Sequence, residues 1–184
     1  MAAPGGAEIE MSALFADVRG STPLAEELGP ARMRNVIDRF YATGVEVLCD
    51  AGAMIDRFMG DQIVGYFVPL YAPAHARNAV SSGLALLRTT GNVAGQQPWI
   101  PIGIGVHTGT AFVGTVGRAG GLVELTAIGE DVNVAARLAA IAGAGELVCS
   151  EATFEASGLR ESGERREVTL KGVSRPVPVR VLSA

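Results

Sequence analysis

Hydrophobic and polar positions change period several times along the chain, and these changes predict an order of strands and helices. Residues 9–17 are mostly apolar and end on a carboxylate, which is typical of a buried strand. Residues 30–50 and 72–90 place apolar side chains three and four positions apart, which predicts two amphipathic helices. Residues 53–58 and 62–68 are short apolar segments on either side of a Gly-Asp turn, as in a β-hairpin.

The second half of the chain continues this alternation. Residues 99–117 and 122–128 predict strands, and residues 129–142 predict a helix. Three short strands are predicted after it, at 146–149, 166–170 and 177–182. This order indicates an α+β fold, with a ferredoxin-like βαββαβ core and a C-terminal βαβ extension. We expect a mostly antiparallel sheet with its helices mainly on one face.

Length and composition indicate a single globular domain. The chain has 184 residues, of which 48% are hydrophobic and 18% charged. That is enough apolar material to bury a core. Residues 1–8 are small and contain Gly and Pro, so we expect a disordered leader there and the domain at 9–184.

Charge and cysteine content exclude several classes of protein. A formal net charge of −4 argues against a nucleic-acid partner, which needs a broad basic surface. An RNA-binding module on the same plan would need exposed stacking rings, and only 5% of residues are aromatic. Cys49 and Cys149 are too few for a disulfide framework or a thiolate zinc site, which indicates a reducing cytoplasm. The sequence has no apolar run of about 18 residues, so any membrane anchor of a larger parent protein is expected outside this chain.

Two aspartates are candidates for metal binding. Asp17 ends the first strand and Asp61 lies in the hairpin turn, and these strands are neighbours in a ferredoxin-like sheet. Paired carboxylates with open water positions suit two Mg²⁺ or Mn²⁺ ions at a phosphoryl group. Gly20, Ser21 and Thr22 begin a short helix whose backbone N–H groups can hold a phosphate, with Ser21 or Thr22 as its cap. The alternative is that the aspartates only shape turns.

Asn133 and Arg137 are a second candidate pair. They lie four residues apart in a largely apolar helical segment, so they share one face. An amide beside a guanidinium suits stabilisation of a pentavalent phosphorus. The alternative is a surface ion pair for Arg137 and a hydrogen bond from Asn133 to its own helix. Lys171 is the one lysine among 15 basic residues, and an ammonium and a guanidinium are not interchangeable.

Two other patterns are interpreted as structural. His107 lies in the glycine-rich segment and is expected to be a packed strand residue rather than a base. The glycines between residues 103 and 117 lack the lysine of a P-loop, so they are interpreted as bends in a strand.

Five segments, in this order, resemble the catalytic domain of class III nucleotidyl cyclases, the adenylyl and guanylyl cyclases. They are FADVRGST at 15–22, RFMGD at 57–61, GVHTG at 105–109, LTAIGEDVNVAARL at 125–138 and LKGV at 170–173. The resemblance covers residues 10–182. Thr126 stands where this family places the residue that faces the purine, as in a bacterial subgroup that often responds to bicarbonate.

The resemblance implies an enzyme that converts ATP to cyclic AMP at two sites shared by a head-to-tail homodimer. One subunit would bind two metal ions through Asp17, Asp61 and the backbone carbonyl of Val18. Its partner would position the ribose with Asn133 and meet the α-phosphate with Arg137.

The resemblance also implies further contacts to the nucleoside triphosphate. Lys171 would contact the triphosphate, and Thr126 and Arg57 would contact the purine. A regulatory domain is expected elsewhere in the parent chain, and bicarbonate is a candidate effector.

Arg57 departs from the family pattern, which usually has a lysine that reads adenine. A longer, forked guanidinium also suits guanine O6 and N7, so GTP is the alternative substrate. A dimerising regulatory domain that binds nucleotide with little turnover is the third hypothesis. The presence of four polar residues of the family pattern argues against it: Asp17, Asp61, Asn133 and Arg137.

Overall fold

Within the residues that the structure describes, eight strands form one sheet, with five helices around it. The computed structural model describes residues 5–117, 123–173 and 175–184. The strands are β1 Gly6–Val18, β2 Met54–Met59, β3 Gln62–Phe67, β4 Ile102–Gly117, β5 Val123–Ile128, β6 Glu146–Ser150, β7 Glu164–Val168 and β8 Val177–Ser183. The helices are α1 Ser21–Leu28, α2 Pro30–Asp50, α3 His75–Thr89, α4 Glu130–Ile141 and α5 Glu151–Ser157.

The strand order confirms the predicted ferredoxin-like core. The sheet runs β2-β3-β1-β4-β6-β8-β7, and β5 pairs with β4 off this path. β1 is central and antiparallel to both β3 and β4. The pair β4–β6 is parallel, and the other strand pairs are antiparallel. The mostly antiparallel α+β fold is therefore as expected.

The C-terminal extension contains more than the sequence pattern predicted. Helix α5 begins directly after β6 and was not expected. It is a short helix, and the Ser150 side chain caps it by accepting a hydrogen bond from the Thr153 N–H over 3.3 Å. A helix of this length shows too few periodic positions for the apolar spacing to reveal it.

Two local predictions are corrected. The leader predicted at 1–8 is wrong for residues 6–8, which belong to β1 and pair with residues 112–114 of β4, and its residues 1–4 lie outside the described residues. The predicted cap of α1 is also wrong. The helix already begins at Ser21, and its N-cap is Gly20 with φ of 64°, a left-handed conformation that glycine adopts readily.

The two faces of the sheet are covered differently. Helices α2, α3 and α5 cover one face, where the largest buried cluster includes Phe40, Phe67 and Leu87. Helix α4 covers the other face above β4 and β1, and leaves the part over β2 and β3 open. The candidate site residues of α4 therefore lie beside an open part of the sheet.

Helix α4 lies unusually close to β4 because glycines face it. A Cβ on Gly105 would lie 2.1 Å from the Ala139 backbone nitrogen and 2.3 Å from the Ala135 carbonyl oxygen. A Cβ on Gly109 would lie 2.2 Å from the Asp131 side chain of α4, and one on Gly103 would lie 2.9 Å from the Ala142 carbonyl oxygen just after the helix. These glycines were interpreted as strand bends, and the structure shows instead that they allow close helix–sheet packing.

Among the described residues, no helix has the length and apolar character needed to cross a bilayer.

Candidate active site

The two candidate carboxylates lie together at one end of the sheet. Asp17 pairs in register with Gln62, the residue after Asp61. The Val18 N–H donates to the Asp61 carbonyl oxygen over 3.1 Å. Burial raises the pKa of Asp17, the Arg19 guanidinium opposes this shift, and the nearby charge of Asp61 adds to it. The ends of β1 and of the β2–β3 hairpin thus hold two carboxylates within electrostatic reach.

The Arg19 guanidinium pairs with the Asp17 carboxylate. Arg19 forms an ion pair with Asp17 and donates to the carbonyl oxygens of Ala140 and Ala142 at 3.5 and 3.4 Å, near the end of α4. In the part of the chain that the structure describes, no group of three or more His, Cys, Asp or Glu side chains is placed to hold a metal ion. The donor set fits hard divalent ions whose remaining ligands are phosphate oxygens and water.

The start of α1 lies beside the carboxylate pair. Ser21 and Thr22 line one groove together with Gly60 and Asp61. The N–H groups in the first turn of a helix have no partner within it, and they favour anions. The structure therefore brings the predicted phosphate-binding turn next to the predicted metal ligands.

A second cavity lies on the open part of the sheet beside α4. Its volume is about 280 Å³, and its lining includes Arg57 and Asn133. The Arg57 Nη2 donates to Thr126 Oγ1 over 3.2 Å, and Thr126 is buried. The two predicted purine-reading residues and the predicted ribose-positioning residue are thus brought together.

The same cavity contains two residues that the sequence analysis did not identify. Asp56 and Tyr66 line it next to Arg57. Strand alternation places neighbouring residues on opposite faces, so nothing in the sequence pattern indicated that Asp56 and Arg57 face the same cavity.

Arg137 lies one helical turn beyond Asn133 and is half-buried. Its Nη1 is buried and has no hydrogen-bond partner within residues 5–117, 123–173 and 175–184. A Cβ on Gly172 would lie 3.3 Å from Arg137 Nη2, so the guanidinium packs against the turn that carries exposed Lys171. An unsatisfied buried donor costs about 1–3 kcal/mol, which an anionic ligand would offset.

The candidate residues therefore form two groups in one chain. The groove at Asp61 and the cavity at Arg57 share no lining residue.

His107 is in neither group. It is largely buried, and its ring nitrogens are hydrogen-bonded to Ser150 at 2.8 Å and to Asp131 at 3.2 Å. Its predicted role as a packed strand residue is confirmed.

The deciding comparison is with the family described as adenylate and guanylate cyclase catalytic domain, whose model matches residues 7–180. The chain belongs to this cyclase family. The resemblance carried by the five sequence motifs is thereby confirmed.

Solved structures of both kinds of cyclase are similar to this cyclase domain. The adenylyl cyclase CyaB from P. aeruginosa superposes with a TM-score of 0.85 at 28% identity, covering 98% of this chain and 97% of that one. The guanylyl cyclase Cya2 gives a TM-score of 0.84 at 31% identity, covering 96% and 93%. These likenesses confirm the fold and leave the choice of nucleotide open.

Curated relatives extend well beyond the cyclase domain. The adenylate cyclase of Anabaena cylindrica is 32% identical over 133 residues, which are 70% of this chain and 26% of the relative. An uncharacterised protein of Mycobacterium tuberculosis is 31% identical over 179 residues, 94% of this chain and 32% of the relative. The chain thus spans about a quarter to a third of these relatives.

Proposed function

We propose that this cyclase domain converts ATP to 3′,5′-cyclic AMP and pyrophosphate. The O3′–Pα bond forms as the bond from Pα to the β-phosphate oxygen breaks, and the 3′-hydroxyl proton is released to solvent. The observation that carries the proposal is the buried Nη1 of Arg137, which has no hydrogen-bond partner among the described residues and whose guanidinium lies against Gly172, next to Lys171. A phosphate oxygen is the ligand that would satisfy it.

The carboxylate end of the sheet supports metal binding. Asp17, Asp61 and the Val18 carbonyl would hold two Mg²⁺ or Mn²⁺ ions. Such ions lower the pKa of a bound hydroxyl and stabilise the charge of a leaving pyrophosphate. Arg19 already pairs with Asp17, so it must release this carboxylate when the site is loaded. Backbone N–H groups at Ser21 and Thr22 would then meet the phosphates, since these residues line the same groove as Asp61.

The cavity beside α4, whose lining includes Arg57 and Asn133, supports the roles proposed for the candidate residues on and near this helix. Asn133 would hold the ribose, and Arg137 would neutralise charge at the α-phosphate in the transition state. Lys171 would contact the β- or γ-phosphate as a point charge. Arg57 and Thr126 would meet the edge of the purine.

We propose that a head-to-tail homodimer completes two sites. Each site would take Asp17 and Asp61 from one copy and Asn133 and Arg137 from the other. Asp61 and Asn133 line separate cavities in one chain, which supports this arrangement. Ile128 lines the purine cavity and is 53% exposed, and Leu125 on the same strand is also 53% exposed, so a second copy would cover both apolar side chains.

GTP is the second candidate substrate. Arg57 donates hydrogen bonds in a fork that guanine O6 and N7 accept well. The guanylyl cyclase Cya2 is about as similar to this chain as the adenylyl cyclase CyaB. Cytoplasmic location, bicarbonate response and a regulatory domain elsewhere in the parent protein remain predictions.

Turnover of each nucleotide tests the proposal. The purified chain is incubated with ATP or GTP, each with Mn²⁺ or Mg²⁺, and cyclic products are separated by chromatography. Cyclic AMP is expected, and it should be lost in Asp61→Asn. The matched control is Asp38→Asn, which removes an exposed carboxylate that pairs with Arg34 on α2. Cyclic GMP alone would assign the second candidate, and no product from a dimeric sample would contradict a catalytic role.

A further inference from the structure

We propose that Asp56 is a specificity-determining positioning residue, which holds the Arg57 guanidinium in the orientation that reads the purine edge. This inference rests on the proposed function. It adds a residue outside the five sequence motifs to the purine cavity.

A β-bulge brings Asp56 into the cavity. Ile55 pairs with Gly65 and Arg57 pairs with Val64, so Asp56 is an extra residue without a partner in register. A bulge re-aims side chains, and here two consecutive residues face the same side of the sheet. Both line the cavity on the α4 side, together with Val64.

Asp56 is a buried charge with specific donors. Its side chain is 4% exposed, and its Oδ2 accepts a hydrogen bond from Arg57 Nε over 2.5 Å. The Tyr66 hydroxyl donates to the same oxygen over 3.4 Å. Burial and the Asp56 charge raise the pKa of Tyr66 to about 12, so this hydroxyl stays protonated at neutral pH. A buried carboxylate is tolerated when such donors surround it.

Arg57 is held at both ends of its guanidinium. Asp56 binds Nε, and Thr126 accepts from Nη2 over 3.2 Å. The Arg57 side chain is 46% exposed and has many rotamers, so packing alone does not fix the orientation of its guanidinium. The Asp56 carboxylate therefore sets the direction in which the Nη atoms point.

This direction matters because adenine and guanine differ along one edge. Adenine presents an acceptor at N7 and a donor at N6, whereas guanine presents acceptors at both N7 and O6. A fixed donor fork suits one arrangement of acceptors better than the other, but a loose fork can follow either. Removal of the Asp56 charge should therefore move the preference between the two bases toward equality.

Equilibrium binding tests this without any dependence on turnover. The probes are 3′-deoxy-ATP and 3′-deoxy-GTP, which lack the attacking hydroxyl and cannot cyclise. Calorimetry gives the ratio of their Kd values for the unaltered chain, Asp56→Asn and the control Asp38→Asn. We expect Asp56→Asn to move the ratio about tenfold toward one, and Asp38→Asn to leave it unchanged.

A double-substitution cycle separates positioning from a general structural effect. If Asp56 acts through Arg57, Asp56→Asn should have little effect on the ratio in an Arg57→Ala background. Tyr66→Phe keeps the hydrogen bonds of Arg57 to Asp56 and Thr126, so it should move the ratio of Kd values less than Asp56→Asn does. Should Asp56→Asn not fold, Asp56→Glu displaces the carboxylate with its charge kept, and the same direction of change is expected.

Three results would overturn the inference. One is a ratio unchanged by Asp56→Asn, even with a lowered melting temperature. Another is an equal change in the Arg57→Ala background. If neither nucleotide binds, the proposed function fails as well, whereas binding with an unchanged ratio rejects the role of Asp56 alone.

Discussion

Replacement of Gly105 by alanine tests how α4 is positioned against the sheet. The added Cβ would lie 2.1 Å from the Ala139 nitrogen, where ordinary contact begins at 3.4 Å. The neighbouring atoms are helix backbone and cannot rotate away, so α4 must move outward by about 1.3 Å. Asn133 and Arg137 lie on this helix and move with it.

The expected losses follow from this displacement. Overpacking of this kind destabilises by about 1–3 kcal/mol, which lowers the melting temperature by roughly 2–12 °C in a chain of this length. A misplacement of about 1 Å at a reacting centre reduces turnover about 100-fold. We expect both effects in Gly105→Ala, measured by thermal unfolding in circular dichroism and by cyclic nucleotide formation well below the melting temperature.

Gly65→Ala in β3 is the matched control. Its added Cβ would lie 3.4 Å from the Leu48 side chain, at ordinary contact distance. It should change stability and turnover little. Native melting temperature and full turnover in Gly105→Ala would refute the close packing of α4 on β4 and its link to the site.

Two further predictions concern charge. Arg137→Lys should lose most turnover, since an ammonium cannot supply the paired N–H donors of a guanidinium. Its melting temperature should stay close to that of the unaltered chain. Retained turnover would contradict the role given to Arg137. Burial lowers the pKa of His107 below its ordinary value of 6.5, although Asp131 opposes the shift. The unfolded chain therefore takes up a proton first as pH falls, and the free energy of unfolding should decrease from about pH 7 toward pH 5. His107→Gln should show a shallower decrease in urea titrations over this range, and an unchanged slope would contradict the assignment.

The fold was predictable where the pattern was long and regular. The spacing at residues 30–50 coincides with α2, and the turn at Gly60 and Asp61 was correctly placed between β2 and β3. Helix α5 was missed because it is short and is defined by the cap at Ser150. Residues 6–8 were wrongly assigned to a leader because they are held by pairing with β4, which local composition does not reveal.

The candidate site was predictable in its residues and less so in its contacts. Asp17 and Asp61 were expected to meet because strand order alone brings them together. The Asp56–Arg57 contact depends on one bulge, and a bulge inverts the alternation on which the sequence argument rests. The unpartnered nitrogen of Arg137 depends on the distance between α4 and the turn at Gly172, a tertiary feature without a sequence signature.

The central claim is that each catalytic site combines Asp17 of one copy with Arg137 of another. Mixing Asp17→Ala with Arg137→Ala tests it most directly, because a mixed dimer would contain one site with both residues intact. Each variant alone should be inactive. Random exchange of subunits should restore about a quarter of the turnover of the unaltered chain. No recovery in a mixture with demonstrated subunit exchange would contradict the shared site.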